Sequence, residues 1–183
     1  MQVSAIFKSV STLFAATALM ALSLTVPSYA QSSKPQLIGS FGDWDAMTAT
    51  TRAEGKTCYM ISKPQKWTAN KKNVRRGDIY MTVSHRPKFK VVSEVNSVVG
   101  YPLKNGSEVT AQVDGKRAIR LFTEGRGAWA YDPQDDSRMV RLMKAGVTMV
   151  VKGTSSRGTR TTDTYSLRGF TAAHNAITKA CRG

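Results

Sequence analysis

The most chemically distinctive segment of the sequence is a run of basic residues around a tryptophan. From Lys63 to Gly77 the chain has six lysines and arginines and no acidic residue. A cationic segment with an aromatic ring can bind phosphate head groups, anionic glycans or other anionic surfaces. The alternative is a solvated connector between strands, because charge runs in loops are common. The residues that we expect to contact an anionic partner here are Lys66, Trp67, Lys71, Lys72, Arg75 and Arg76.

A second basic patch lies near the C-terminus, in the segment Gly153–Phe170. Arg157-Gly158 predicts a turn, and the β-branched segment Thr159–Leu167 predicts a returning strand. Arg157 and Arg160 would supply the positive charge. Alternation places Asp163 among apolar neighbours, where a buried carboxylate needs a partner. We expect a structural ion pair between Asp163 and Arg157, with Arg120 as the other candidate.

The two cysteines, Cys58 and Cys181, are 123 positions apart and both lie after residue 30, one of them close to the C-terminus. This spacing excludes a CxxC redox motif and a zinc knuckle. In an oxidising compartment the default is one disulfide, and the alternative is two free buried thiols. We expect the bridge to tie a C-terminal helix to an early strand.

No pattern in the sequence indicates catalysis. His85 and His174 have no motif that links them, and a surface or capping position explains each of them. The paired acids Asp43/Asp45 and Asp135/Asp136 belong to turn-like or helix-start sequence. Nucleophile-elbow, zinc-protease, P-loop and dinucleotide-binding motifs are absent. The sequence therefore predicts a non-enzymatic protein without metal or cofactor, and an unrecognised hydrolase is the least favoured alternative.

The N-terminus has the three parts of a secretory signal. Lys8 precedes an apolar stretch from Leu13 to Val26, and small residues stand at Ser28 and Ala30. We expect residues 1–30 to be removed by cleavage between Ala30 and Gln31, the alternative being an uncleaved anchor. Residues 31–183 contain no apolar run that is long enough to span a bilayer. Export to the periplasm, the envelope or the exterior argues against nucleic acid as the partner.

The elements that must position these residues are mainly strands. Apolar and polar residues alternate over Ile79–Ser84 and Val109–Val113, and Asp114-Gly115 and Asn105-Gly106 predict tight turns. Two short helices are predicted, Arg138–Ala145 capped by Asp136 or Ser137, and Ala172–Cys181 capped by Thr171. We expect one mainly β, antiparallel β-sandwich-like domain with two short helices over residues 37–183, after a polar segment at residues 31–36.

An ordered set of motifs resembles the invasion-associated locus B family of alphaproteobacteria. The motifs are Phe41-Gly-Asp-Trp44, Cys58, Val99-Gly-Tyr-Pro-Leu103, Gly127-Ala-Trp-Ala130, Met143-Lys-Ala-Gly146, Ser156-Arg-Gly-Thr159, Asp163-Thr-Tyr-Ser-Leu167, Gly169-Phe170 and Cys181. The resemblance implies an envelope-associated, β-sandwich-like protein without known catalytic residues. Some members are linked to attachment to host cells and entry into them. Many also have a cysteine shortly after the Asp-Trp motif, where this chain has Asp45-Ala46-Met47-Thr48.

The whole chain has a formal net charge of +15, which favours attraction to anionic surfaces. We therefore expect an exported binding module whose basic surface engages a lipid head group, a glycolipid, a glycan or a host-cell surface component. The alternative is a structural envelope protein that its charge holds at anionic lipid or cell wall, without a host ligand.

Overall fold

The structure, a computed structural model, describes residues 34–182, so the predicted signal peptide at residues 1–30 lies outside the described part. Within it the prediction of a mainly β fold with two helices is confirmed. The strands are β1 (Gln36–Phe41), β2 (Trp44–Thr51), β3 (Gly55–Ser62), β4 (Lys66–Ala69), β5 (Tyr80–Arg86), β6 (Val91–Val98), β7 (Val109–Val113), β8 (Ile119–Glu124), β9 (Gly127–Trp129), β10 (Thr148–Thr154) and β11 (Arg160–Ser166). The helices are α1 (Pro133–Ala145) and α2 (Phe170–Arg182).

The strands join in one antiparallel order, β1-β2-β3-β5-β6-β9-β8-β7-β10-β11-β4. Strand β8 pairs with β9 on one side and β7 on the other, and so links the two halves. The far ends of the order come back together, because Trp44 Nε1 in β2 donates to the carbonyl of Ser166 in β11 at 3.0 Å. The sheet therefore folds over on itself around one apolar core, in the sandwich-like arrangement that the sequence predicts.

Local sequence explains most of the strand boundaries. Met81 and Val83 are buried while the intervening Thr82 is half-buried, which is the period of two that β5 requires. Asp114 and Gly115 both adopt positive φ angles, 46° and 69°, as a tight hairpin turn demands. The sequence of Leu37–Thr48 is also a candidate for a strand, but it does not form a single one, because Gly42, at φ 59°, turns the chain back between β1 and β2.

The first helix begins earlier than predicted. Asp132, and not Asp136 or Ser137, caps α1, and its side chain accepts the N–H of Asp135 at 2.8 Å. Pro133 follows at the first helical position, where its fixed φ suits a helix start. Asp136 is instead buried against β6, where its Oδ1 accepts the N–H of Val95 at 2.8 Å.

The predicted disulfide is present. Cys58 in β3 and Cys181 in α2 are bonded, with their Cα atoms 5.9 Å apart. Helix α2 packs on β1, β2, β3 and β5, burying Phe170, Ala173 and Ile177 on its inner face. The bridge thus fastens the last turn of α2 to the sheet, as the sequence predicts. Among residues 34–182 no helix has the length and apolar composition needed to cross a membrane.

Candidate functional site

Both basic patches predicted from the sequence border the same cleft. It has a volume of about 770 Å³ and is formed by the loop between β4 and β5, the segment after β6 and the β10–β11 turn. Six cationic side chains line it, and among residues 34–182 no carboxylate does. These side chains are Lys71, Lys72, Arg75, Arg76, Arg126 and Arg157. We call this cavity the basic cleft.

Backbone hydrogen bonds hold the β4–β5 loop, residues 70–79, over the cleft. At its start, Asn70 N–H donates to the Arg160 carbonyl at 3.0 Å, and Asn70 Oδ1 accepts the Arg160 N–H at 2.8 Å. At its end, Gly77 N–H donates to the Gly100 carbonyl at 2.8 Å. Gly100 has φ 76°, and a Cβ atom there would lie 2.7 Å from the Gly77 oxygen. This close approach therefore requires glycine.

A short turn brings the second patch to the same place. Ser155 and Thr159 close the β10–β11 turn through an N–H to carbonyl bond of 2.8 Å, with Gly158 at φ 75°. Arg157 stands exposed at its tip, and its carbonyl accepts a hydrogen bond from Lys71 Nζ at 3.3 Å. The two patches, distant in sequence, are thus in direct contact.

One of the predicted binding residues has a structural role instead. The side chain of Arg76 is 2% exposed, and its guanidinium forms a two-pronged ion pair with Asp163, with Nη2 2.7 Å from Oδ2. Its Nε and Nη2 also donate to the Val99 carbonyl at 3.0 and 2.7 Å. The predicted pair between Asp163 and Arg157 is therefore wrong. The physical reason is that β11 turns Asp163 inward while Arg157 is outside on the turn.

Two aromatic rings enclose the same guanidinium. Its Cζ atom lies 5.1 Å from the ring centres of both Trp67 and Tyr101, within the range of cation–π attraction. Tyr101 is fixed in turn by a 2.6 Å hydrogen bond with Thr161, and burial raises the pKa of its phenol. Arg76 thereby anchors the loop that presents Lys71, Lys72 and Arg75.

The remaining predicted residues do not line the basic cleft. Lys66 and Trp67 belong to the short edge strand β4, paired with β11, so the segment Lys63–Gly77 is not all loop. Arg120, the other partner considered for Asp163, pairs with Glu108 at 3.5 Å. Exposed Arg160 flanks the turn that presents Arg157. A lysine on an edge strand also discourages pairing with another sheet.

Arg126 is the cleft residue that sequence reasoning missed. It lies in the Glu124–Gly127 turn between β8 and β9, and its carbonyl accepts the Val99 N–H at 3.0 Å. The Gly-Arg-Gly sequence signals a turn, but only the pairing of β9 with β6 shows which end of the fold this turn reaches. Lys72, Arg75, Arg126 and Arg157 form no ion pair with any carboxylate of residues 34–182.

The two histidines are buried where α2 packs on the sheet, His85 in β5 and His174 in α2 itself, and not at surface or capping positions as predicted. Ser93 N–H donates to His85 Nδ1 at 3.0 Å, so neutral His85 donates from Nε2 to Thr178 Oγ1, also at 3.0 Å. His174 Nε2 lies 3.0 Å from Ser93 Oγ. Burial lowers both histidine pKa values, that of His174 to about 4. Buried polar groups that satisfy one another in this way hold α2 against the sheet.

The family model for the invasion associated locus B (IalB) protein matches residues 44–178. The chain belongs to the IalB family. The suspected resemblance is thus confirmed over most of the chain, and the matched residues include Cys58, the basic cleft and its Arg76–Asp163 anchor. No curated protein and no solved structure matches the chain. In this IalB family member the basic cleft is the strongest candidate for a functional site, because it brings several cationic side chains together.

Proposed function

We propose that this IalB family protein is exported to the bacterial envelope and binds anionic groups of lipids or glycans in its basic cleft. The observation that carries the proposal is the convergence of Lys72, Arg75, Arg126 and Arg157 on one cavity, where no acid of residues 34–182 pairs with them. Like charges repel one another, so such a cluster destabilises the free protein. An anion that binds there relieves the repulsion, which makes the free energy of binding more favourable. The binding is non-enzymatic.

The construction of the cleft supports a binding role over that of a solvated loop. A solvated connector needs no anchor, whereas this loop is bound at both ends and fixed at Arg76 by an ion pair and two rings. Holding the backbone that carries the cationic side chains in place before the ligand arrives lowers the entropy cost of binding. The structure thus supplies the preorganisation that an anion site benefits from.

The depth of the cleft favours a ligand that enters it. A flat anionic surface would reach the exposed Lys66 and Arg160 most easily, but a cavity of about 770 Å³ has room for a charged head group or one or two sugar units. Arginine binds phosphate and carboxylate groups with two parallel hydrogen bonds. We therefore expect Arg75, Arg126 and Arg157 to dominate recognition.

Binding to vesicles with anionic and with neutral head groups tests the proposal, with a soluble sulfated glycan as the second ligand. The test variant is Lys72→Gln/Arg75→Gln/Arg126→Gln, and the matched control is Lys116→Gln/Arg117→Gln/Arg141→Gln. The control removes the same charge from exposed positions outside the cleft. Each basic residue near an anionic surface contributes about 1 kcal/mol, so the test variant should lose roughly a hundredfold in affinity at low salt.

The outcomes separate the possible anion sources. Binding to anionic vesicles alone would identify the ligand of the basic cleft as a lipid head group. Binding to the free glycan alone would identify it as a glycan. Equal losses in the test and control variants would show that net charge, and not the cleft, attracts the ligand, and would overturn the proposal. The same comparison on host-cell surfaces tests whether a host component is the partner.

A further inference from the structure

A second cleft on the molecule has the opposite chemistry. It has a volume of about 650 Å³ and lies between the 3-10 turn Pro87–Phe89, strands β6, β8 and β9, and the start of α1. Aromatic rings and carboxylates line it together, with Lys90 as its one cationic side chain among residues 34–182. The aromatic residues are Phe89, Phe122, Trp129 and Tyr131, and the acids are Glu94, Glu124, Asp132 and Asp136. We call it the acidic aromatic cleft.

Three of the rings are in contact and form an aromatic platform, in which the third ring is tilted. Phe122 stacks on Trp129 with ring centres 5.8 Å apart and planes 26° from parallel. Tyr131 continues the platform, 5.6 Å from Phe122 at 57°. Trp129 is fixed because it packs over Gly127, where a Cβ atom would lie 2.3 Å from its ring. The ring contacts and the approach to Gly127 thus restrict Trp129, which lowers the entropy cost of binding a ligand there.

The rim of this cleft exposes apolar side chains to an unusual extent. Phe89, Val92 and Tyr131 are 51%, 68% and 57% exposed, and they are three of the seven large hydrophobic side chains that residues 34–182 expose. All three line the same cavity. Apolar groups clustered at a concave site mark a binding surface, whereas scattered ones do not.

The four carboxylates differ in the ion-pair and hydrogen-bond partners that they already have. Glu94 pairs with Arg86 at 2.7 Å, and Asp132 caps α1. Asp136 is buried and accepts one hydrogen bond, from Val95. Glu124 is exposed and pairs with no cation of residues 34–182. The cleft thus retains negative charge for a ligand to neutralise.

We propose that the acidic aromatic cleft binds an alkylammonium cation, which stacks on the Trp129–Phe122–Tyr131 platform and is neutralised by Glu124. Ring faces attract cations, most strongly where water is excluded, and the alkyl substituents of such a cation suit the apolar rim. The chain's charge of +15 does not prevent this. Charges beyond a Debye length of about 8 Å are largely screened at physiological salt, so the local carboxylates dominate.

Titration of the protein with choline tests the proposal, and Nα-acetyl-lysine amide, whose ε-ammonium stays charged, serves as a second alkylammonium cation. The matched ligand is 3,3-dimethyl-1-butanol, which replaces the choline nitrogen by carbon. We expect at least one cation to show saturable binding and to shift the Trp129 indole N–H resonance. Its affinity should be about tenfold higher than that of the neutral isostere.

Variants at exposed positions connect the binding to the cleft. Tyr131→Leu and Glu124→Gln should each weaken cation binding by about three- to fivefold with little effect on folding. Asp45→Asn and Val147→Ala change an exposed acid and an exposed apolar residue outside the cleft and should leave the affinity unchanged. Equal binding of cation and isostere, unaltered affinity in both cleft variants, or saturation by a neutral monosaccharide instead would overturn the proposal. The basic-cleft triple variant should bind choline normally, so the two proposals fail independently.

Discussion

Arg76 and Asp163 are 87 positions apart in the sequence and meet in an ion pair whose two side chains are each 2% exposed. The pair fastens the loop over the basic cleft to strand β11. It also uses the charge of one of the six cations that line the cleft. Five positive side chains remain for a ligand, and three of them, Lys71, Lys72 and Arg75, lie on the loop that this buried pair anchors.

The first prediction concerns this pair. Arg76→Met leaves the Asp163 carboxylate buried without its partner, which should lower the free energy of unfolding by about 3–5 kcal/mol. Arg157→Met changes an exposed side chain and should stay within about 0.5 kcal/mol of wild type. Urea denaturation of both variants measures the difference. Adding Asp163→Leu to Arg76→Met should restore much of the stability, and equal losses for Arg76→Met and Arg157→Met would contradict the assigned pairing.

The disulfide gives the second prediction. Replacing both Cys58 and Cys181 by serine removes a cross-link between residues 123 positions apart, and should lower the free energy of unfolding by about 2–5 kcal/mol. Hydrogen exchange should rise first in the last turns of α2, which the bridge holds to β3. Reduction of the wild type should reproduce the effect. An unchanged denaturation midpoint would show that packing alone holds the helix.

The third prediction follows from the buried histidine His174. Its pKa falls to about 4 in the folded protein from 6.5, chiefly through burial, so the fold favours the neutral ring. The stability from the neutral ring is fully present above about pH 6.5 and is lost as the pH falls from there towards 4. His174→Gln should flatten the dependence of unfolding free energy on pH over this window. A parallel pH profile for variant and wild type would contradict this assignment.

Asp136 gives the fourth prediction, in which stability falls as the pH rises, opposite to the effect of His174. Burial and the neighbouring Glu94, Asp132 and Asp135 raise its pKa to about 6 from 3.8, although the Val95 hydrogen bond lowers it. The folded protein therefore favours the protonated carboxyl, and this stability is present below about pH 4 and lost as the pH rises through 6. Asp136→Asn keeps an acceptor for Val95 and should gain stability relative to wild type between pH 4 and 7. A constant difference in unfolding free energy between variant and wild type across that range would contradict a raised pKa of Asp136.

Sequence reasoning could predict the features that depend on neighbouring residues. Alternation revealed β5 and β7, and Asp114-Gly115 revealed a hairpin, because each depends on local backbone geometry. The disulfide followed from compartment and from the count of two cysteines. The sequence also identified both basic patches, and the fold brings Lys71 of the first into contact with Arg157 of the second.

Features that depend on distant parts of the chain could not be predicted in this way. The choice of Arg76 over Arg157 as the partner of Asp163 depends on where the β4–β5 loop crosses β11, which local patterns do not encode. Strand β4 was hidden because its lysine and tryptophan resembled a charged loop. The acidic aromatic cleft was invisible for a related reason, since β6, β8, β9 and α1 each supply only part of it.

The position of the Cys58–Cys181 bond has a consequence for how this protein responds to proteases. The bond encloses nearly all of the chain between β3 and the end of α2 in one covalent ring. A single cut at any exposed loop within that ring, including the one over the basic cleft, leaves both fragments attached to each other. The nicked molecule would keep its mass apart from one added water, and its two pieces would separate on a gel only after reduction.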